Sequence, residues 1–197
     1  MQPEAMKPMT RIWLRLRRSA RDLPGDNRGI AALEFAMIVP LMLVLFFGTV
    51  EFSSGVAVNR KVTLMARTLS DLTSQNISVT DAQLTNFFNA STGIMTPFSS
   101  TPTKSTITEL YVDPATLAAR VQWSKGDAPR GAGSTVAIPV ALQVGGTYLI
   151  FSEVSYRYIP SVGYVMAKAG INMSDFTYTR PRQSTCVMYN TTVCTTT

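Results

Sequence analysis

A long apolar segment near the start of the chain constrains the fold more than any other feature. Residues 35–50 carry no formal charge, and residues 30–33 extend the apolar segment to twenty-one residues. As an α-helix it would be roughly 31 Å long, about the thickness of the hydrocarbon core of a bilayer. Glu34 is its only charged residue, and a carboxylate at such a position is costly unless it is paired or neutralised. The segment therefore predicts one transmembrane helix that contains a functional acid.

Basic residues are concentrated before this segment. The chain has a formal net charge of +6, and residues 1–29 contain seven Lys or Arg against three Asp or Glu. Basic residues on one side of a span hold that side in the cytoplasm. They do not have the distribution of a nucleic-acid-binding face, so no nucleic acid partner is expected. We predict a cytoplasmic N-terminus, a helix surrounded by membrane lipid, and a C-terminal domain outside the cytoplasm.

The residue types limit the chemistry that the chain can perform. It contains no histidine, the commonest general base and the commonest metal ligand. The acidic residues of the C-terminal region form no catalytic motif, and they are scattered among predicted turns and strand faces: Asp113, Asp127, Glu153 and Asp175. We therefore expect no catalytic residues, no enzyme activity, no metal and no cofactor.

The two cysteines, Cys186 and Cys194, lie eight positions apart near the C-terminus. In an oxidising compartment they are expected to form a disulfide that closes the short loop between them. Two unpaired thiols are the alternative, whereas a metal site is disfavoured because no partner ligands accompany the pair.

A turn-forming stretch at residues 23–27 separates the basic leader from Arg28 and Gly29. The order of basic leader, glycine and apolar helix with an early glutamate resembles the class III signal of type IV pilin-like proteins. A prepilin peptidase cuts such signals on the cytoplasmic side, directly after the glycine. The resemblance implies cleavage after Gly29, which would make Ile30 the new N-terminus and Glu34 the fifth residue of the mature chain.

Within the pilin-like proteins the sequence is most similar to the TadE-like minor pseudopilins of the tight-adherence (Tad or Flp) pilus system. The residues that carry this resemblance are Arg28, Gly29, Ala31, Ala32, Glu34, Phe35, Ala36, Pro40, Gly48, Glu51, Phe52, Arg60, Ala66 and Arg67. Residues 153–160 and 180–182 resemble distal features of the same family. The resemblance implies a minor subunit that acts in pilus initiation, assembly or tip formation, for surface adherence and biofilm growth.

The same resemblance implies partners and roles for the first helical turns. The partners would be the prepilin peptidase, other pilins or pseudopilins, and the pilus assembly machinery. Glu34 would pair with the terminal ammonium of a neighbouring subunit, and Phe35 and Pro40 would belong to the same assembly segment, with Pro40 kinking the helix. The alternative is a plain signal anchor in which Glu34 reaches the membrane surface and an unprocessed periplasmic domain binds a ligand or an envelope component. A larger, anchoring relative in the Tad system is a further alternative.

Beyond the apolar segment, the helix is predicted to continue to residue 73. An apolar stripe with helical spacing consists of Val58, Val62, Met65, Leu69 and Leu72, and Asn59, Thr63, Arg67 and Ser70 lie on another side. Two interpretations of this stripe are open. Either it packs only on the chain's own domain, or part of it also contacts neighbouring subunits. A capping box formed by Thr80 and Gln83 predicts a second helix over residues 81–89.

The remaining residues show the two-residue periodicity of strands. Residues 106–112 and 117–123 predict a hairpin, and residues 147–159 predict a strand whose tyrosines face the core. Residues 171–178 predict another strand with a bulge, because their apolar residues change parity. The predicted class is α+β, with an antiparallel sheet packed on the long helix. The predicted divisions are a cleaved leader (1–29), a transmembrane and amphipathic helix (30–73, membrane part about 30–52) and an extracytoplasmic domain (74–197).

Overall fold

The computed structural model describes residues 29–160 and 170–194. The basic leader, predicted to be cleaved, lies outside the described residues apart from Gly29. The chain divides between Thr49 and Val50 into two units. The first is described from Gly29 onward and is helical, with every residue exposed or nearly so. The second contains every strand found among the described residues.

One continuous helix, α1 (Ile30–Ser74), runs through the predicted membrane segment and the predicted amphipathic segment. Its backbone remains helical through Pro40, although proline cannot donate the hydrogen bond that the carbonyl of Ala36 would accept. The predicted kink at Pro40 stays a prediction. Because the side chains change from apolar throughout to amphipathic near Val50, the two halves of α1 face different surroundings.

The amphipathic half of α1 packs on the sheet with the stripe that its spacing predicts. Val58, Val62, Met65 and Leu69 are fully buried, and Leu72 is partly buried. Ser70, which we predicted on another side of the helix, is also buried, and that prediction was wrong. Its hydroxyl donates to the hydroxyl of Thr179, 2.8 Å away, so the sheet satisfies a polar group that the periodicity alone assigns to solvent.

A short second helix follows the first. After strand β1 (Ser78–Val79), helix α2 (Asp81–Thr92) begins with the predicted capping box, in which Thr80 and Gln83 exchange side-chain and backbone hydrogen bonds. The helix ends three residues later than predicted and continues into a 3₁₀ turn, Gly93–Met95.

The main sheet is five-stranded and antiparallel, with the strand order β4-β3-β2-β5-β6. Its strands are β2 (Thr103–Val112), β3 (Ala119–Gly126), β4 (Thr135–Val136), β5 (Tyr148–Tyr158) and β6 (Ile171–Thr179). A short strand near the C-terminus, β7 (Met188–Tyr189), pairs in parallel with β1. The predicted hairpin, the predicted tyrosine-rich strand and the α+β class are confirmed.

The sheet is covered on both faces. Side chains of α1 pack against one face, where Ile107, Trp123, Ile150, Val154 and Tyr156 are buried. A second apolar cluster covers the other face, and its members are Leu110, Val112, Ala119, Val121, Ile138, Leu149 and Phe151. The helix-side face was predicted from the parity of the tyrosines, and the second cluster was not.

The second cluster explains why the predicted bulge in β6 was wrong. The pairing of β6 with β5 runs without a shift from Ile150 and Thr179 to Tyr158 and Ile171. Met173 packs on the helix-side cluster, whereas Tyr178 packs on the opposite cluster and stacks on the ring of Phe151. Apolar residues of both parities therefore reflect a strand that contacts an apolar cluster on each face, although none of its residues is fully buried. A register shift does occur in the sheet, between Glu109 and Leu110 where β2 pairs with β3.

Candidate functional site

The predicted processing and assembly residues lie together at the start of α1. Gly29 directly precedes the helix, Ile30 is its first residue, and Glu34, Phe35 and Pro40 follow within three turns. All five are exposed, and Phe35 is 69% exposed. A Cβ atom added to Gly29 would meet nothing within 4 Å. Within the part of the chain that the structure describes, nothing covers the glycine or the first turns of the helix.

The segment that follows presents an unusually large apolar surface. Large apolar side chains that are exposed between residues 30 and 50 are Ile30, Leu33, Phe35, Met37, Ile38, Leu41, Met42, Leu43, Val44, Leu45, Phe46, Phe47 and Val50. Soluble monomers rarely expose contiguous apolar patches of this extent. Among the described residues, α1 is the one helix long and apolar enough to cross a membrane, with a mean hydropathy of 2.5 in its most apolar window. This surface is compatible with a single-pass membrane anchor.

Glu34 is the single charge on that surface. Within residues 29–160 and 170–194 it forms neither a hydrogen bond nor an ion pair through its side chain. Ile30 and Glu34 are four residues apart, so they lie on the same side of the helix, one turn from each other. A cation that approaches the N-terminal end of the helix would meet the carboxylate without displacing an existing partner.

A cleft lies where the first turns of the second unit meet the ends of β5 and β6. Its volume is about 490 Å³, and its lining consists of Glu51, Phe52, Gly55, Val56, Asn59, Arg60, Tyr158, Pro160, Ile171 and Met173. The hydroxyl of Tyr158 donates to the carboxylate of Glu51 at 2.7 Å. Burial, and next the Glu51 carboxylate, raise the pKa of Tyr158 to about 12, so the phenol stays protonated. The sequence motifs included Glu51, but its pairing with Tyr158 was not predicted.

A second polar group holds the C-terminal segment against the sheet. Glu109 on β2 is fully buried, and its carboxylate accepts hydrogen bonds from the indole N–H of Trp123, at 2.8 Å, and from the backbone N–H of Val187, at 2.6 Å. The same indole N–H also lies 2.8 Å from the carbonyl oxygen of Val187. Next to these contacts, the predicted disulfide between Cys186 and Cys194 is present.

The alternation of residues in β2 is a sequence signal for the position of Glu109. Glu109 shares its parity with Ile107, a core residue, so the alternation of β2 points its carboxyl toward the helix-side face. Glu109, Cys186 and Cys194 also form the one cluster of metal-ligand residue types among the described residues. Because the two sulfur atoms are bonded to each other, neither is a thiolate, and the cluster offers a cation a single carboxylate.

Burial of Glu109 predicts a specific pH dependence of stability. Burial raises the pKa of its carboxyl from 4.5 to about 7, although the two N–H donors oppose this shift. Below pH 4.5 the group is protonated in both folded and unfolded chains, and between 4.5 and 7 it ionises in the unfolded chain alone. The free energy of unfolding should therefore fall by about 3 kcal/mol as the pH rises through this interval. Urea unfolding of the full chain in detergent, followed by tryptophan fluorescence at several pH values, measures this change.

The matched variants are Glu109→Gln, which should remove this pH dependence, and Glu153→Gln, which should retain it. Glu153 is partly exposed and forms an ion pair with Arg130, so its carboxylate is not buried as that of Glu109 is. An unchanged slope in Glu109→Gln would show that another group titrates, whatever the absolute stability of the variant.

The four acidic residues considered as catalytic candidates each have a structural contact. Asp113 accepts from the N–H of Ala115 in the turn between β2 and β3, and Asp127 accepts from the N–H of Ser105. Glu153 pairs with both terminal nitrogens of Arg130, and Asp175 accepts from the hydroxyl of Thr63. Glu153 and Asp175 line one cleft of about 270 Å³, whereas Asp113 and Asp127 do not line it, so the four carboxylates do not form a single site.

The fold and the exposed segment define a class of protein: a small α+β domain that follows a helix long and apolar enough to span a bilayer. Residues 29–69 match the family model described as TadE-like protein. The match confirms the resemblance predicted from Gly29, Glu34, Pro40 and the amphipathic continuation, and it ends before the sheet. No curated protein and no solved structure matches the chain.

Proposed function

We propose that the chain is a minor pseudopilin of a Tad-type pilus, made as a single-span inner-membrane precursor with its N-terminus in the cytoplasm and its C-terminal domain in the periplasm. A prepilin peptidase cleaves it after Gly29, and the mature chain joins other pilins during pilus initiation, assembly or tip formation. The membrane part of α1 covers residues 30–52. The role is structural, and no catalysis is assigned to it. The match of residues 29–69 to TadE-like proteins supports this proposal at the level of the family.

The observation that carries the proposal is the combination of an accessible glycine with a lone acid on an exposed apolar helix. Gly29 has open space around it, so a protease could bind the backbone there in an extended form. Cleavage would remove the basic leader and leave an ammonium group on Ile30. A subunit inside a filament has apolar helices as neighbours, so its Glu34 carboxylate would be stabilised by the ammonium of the next subunit.

The amphipathic half of α1 supports a second part of the proposal. Its buried stripe faces the sheet, which accounts for Val58, Val62, Met65 and Leu69 without a neighbouring subunit. The exposed half before Val50 is therefore the larger apolar surface of α1 that is available for subunit contacts. In this arrangement the domain is carried by the helix and does not provide the helix–helix interface.

Co-expression with a prepilin peptidase tests the proposal. Mass spectrometry of the intact protein and of its N-terminal peptide should show a chain that begins at Ile30, and the same measurement reports whether its amine is methylated. An inactive peptidase should leave Met1 in place. A chain that still begins at Met1 with the active enzyme, or one cut beyond residue 50, would contradict the proposal and favour the plain signal-anchored domain.

A further inference from the structure

The cleft between Glu51 and Met173 has the composition of a membrane-interface site. Its walls are formed mainly by Phe52 and Val56 of α1, and by Tyr158, Ile171 and Met173 from the ends of β5 and β6. Phe52 and Ile171 are 72% and 51% exposed, which leaves apolar surface uncovered at its mouth. The volume of about 490 Å³ lies within the range of sites that hold small molecules.

The position of the cleft along the chain identifies the apolar medium next to it. Glu51 and Phe52 directly follow the apolar segment that ends at Val50. By helical rise, Phe52 is about 3 Å and Val56 about 9 Å beyond that end, so the two residues span a headgroup layer that is roughly 5–8 Å thick on one side of a bilayer. Tyrosine is enriched at this depth because its ring is apolar and its hydroxyl is polar.

The cleft has a cation in its lining that can bind the phosphate of a headgroup. The side chain of Arg60 lines the cleft, and among the described residues it has no salt-bridge partner. By the same helical rise the Cα atom of Arg60 lies about 15 Å beyond Val50. Because a helical side chain leans toward the N-terminal end of its helix, the guanidinium would reach back toward the headgroup layer. The carboxylate of Glu51 accepts from Tyr158, so part of its hydrogen-bonding capacity is already used within the protein.

We propose that this cleft binds a phospholipid of the leaflet in which the apolar segment ends. The acyl chain and glycerol would contact Phe52, Val56 and Ile171, and the phosphate would pair with Arg60. This inference rests on the membrane anchoring that belongs to the proposed function. It adds a contact between the strand ends of the domain and the lipid, so the domain is held at the bilayer surface by β5 and β6 as well as by the helix.

Spin labels in the full-length chain, reconstituted in vesicles of phosphatidylcholine and phosphatidylglycerol, test the proposal. Single cysteines are introduced as Ile171→Cys at the cleft, Val44→Cys within the apolar segment and Val140→Cys as a control. The native cysteines form a disulfide and do not take the label. Val140 is 82% exposed and lies in a 3₁₀ turn before the opposite end of β5, a strand whose length is about 33 Å.

The readout is collision of each label with oxygen, which partitions into lipid, and with a water-soluble nickel complex. We expect oxygen to dominate at positions 171 and 44 and nickel to dominate at position 140. Nickel access at 171 equal to that at 140, with position 44 still in lipid, would overturn the lipid site and leave the anchor intact. Nickel access at position 44 would contradict both the anchor and the lipid site.

A second copy of the chain is the rival occupant, and the same labels detect it. Protection of position 171 from both reagents, with spin–spin broadening that disappears on dilution with unlabelled chain, would assign the cleft to a neighbouring copy and overturn the lipid site. Arg60→Gln should lower the enrichment of phosphatidylglycerol in lipid that copurifies with the chain by about fivefold. The control Arg67→Gln, an exposed arginine seven residues further on the same helix, should leave it unchanged; equal loss in both variants would count against the pairing with Arg60.

Discussion

Gly29→Leu is expected to leave the basic leader attached when the chain is produced with an active prepilin peptidase. Residue 29 is the last leader residue in the proposed cleavage, and a leucine side chain there would occupy the space in which the enzyme must hold the backbone. The substitution should not affect the folded domain, because a Cβ atom at this position meets nothing within 4 Å. Intact-mass measurement should show the precursor as the main species, in place of a chain that begins at Ile30.

Gly48→Leu provides the matched control for this experiment. Gly48 lies in the same apolar helix, and a Cβ atom there also meets nothing within 4 Å. The control should be inserted and cleaved as the unsubstituted chain is. Complete processing of Gly29→Leu would refute the assignment of Gly29, whereas loss of processing in both variants would point to a general defect of the helix.

Glu34→Ala is expected to insert and to be cleaved, but to fail in pilus assembly. Removal of one partner from a buried ion pair leaves the other charge uncompensated, at a cost of about 3 kcal/mol or more. A cost of this size corresponds to a loss of roughly a hundredfold in the association of a subunit with its neighbours. The measurement is the amount of pilus sheared from cells that carry the other Tad components, compared with the amount of mature chain in the membrane.

Two further substitutions separate charge from size at this position. Glu34→Gln retains the shape without the charge and should fail as Glu34→Ala does. Glu34→Asp retains the charge on a shorter side chain and should restore part of the assembly. Normal pili with Glu34→Gln would refute the pairing with a neighbouring ammonium and would favour a carboxylate that lies solvated at the membrane surface.

The sequence was sufficient to identify Glu34 as an unusual acid, but it was not sufficient to identify the burial of Glu109. The two acids differ in how far along the chain their partners lie. Glu34 interrupts twenty-one residues of one continuous helix, so its cost depends on neighbours within a few turns and can be read along the chain. Glu109 is equally out of place in a strand next to buried apolar residues, but its partners are Trp123 on β3 and Val187 near the C-terminus. Those partners are defined only when three distant segments come together.

The strands show the same division between local and long-range information. The parity of Tyr156 and Tyr158 correctly predicts a face packed on the helix, because alternation is a local property of an extended chain. The burial of Leu149 and Phe151 depends on Ile138 and other residues that fold over the opposite face. Without that contact, the parity change in β6 was interpreted as a bulge, although the register of β5 and β6 is regular.

The sequence by itself determined the long helix, its change from uniformly apolar to amphipathic near residue 50, and the positions of the glycine and the lone acid at its start. These features depend on composition and spacing within a single element, and a helix satisfies its own backbone hydrogen bonds. The tertiary structure decided the burial of Glu109 and Ser70, the second apolar face of the sheet, and the cleft of Glu51 and Tyr158. Each of these arises from side chains that are distant in sequence and are brought within contact only by strand order and register.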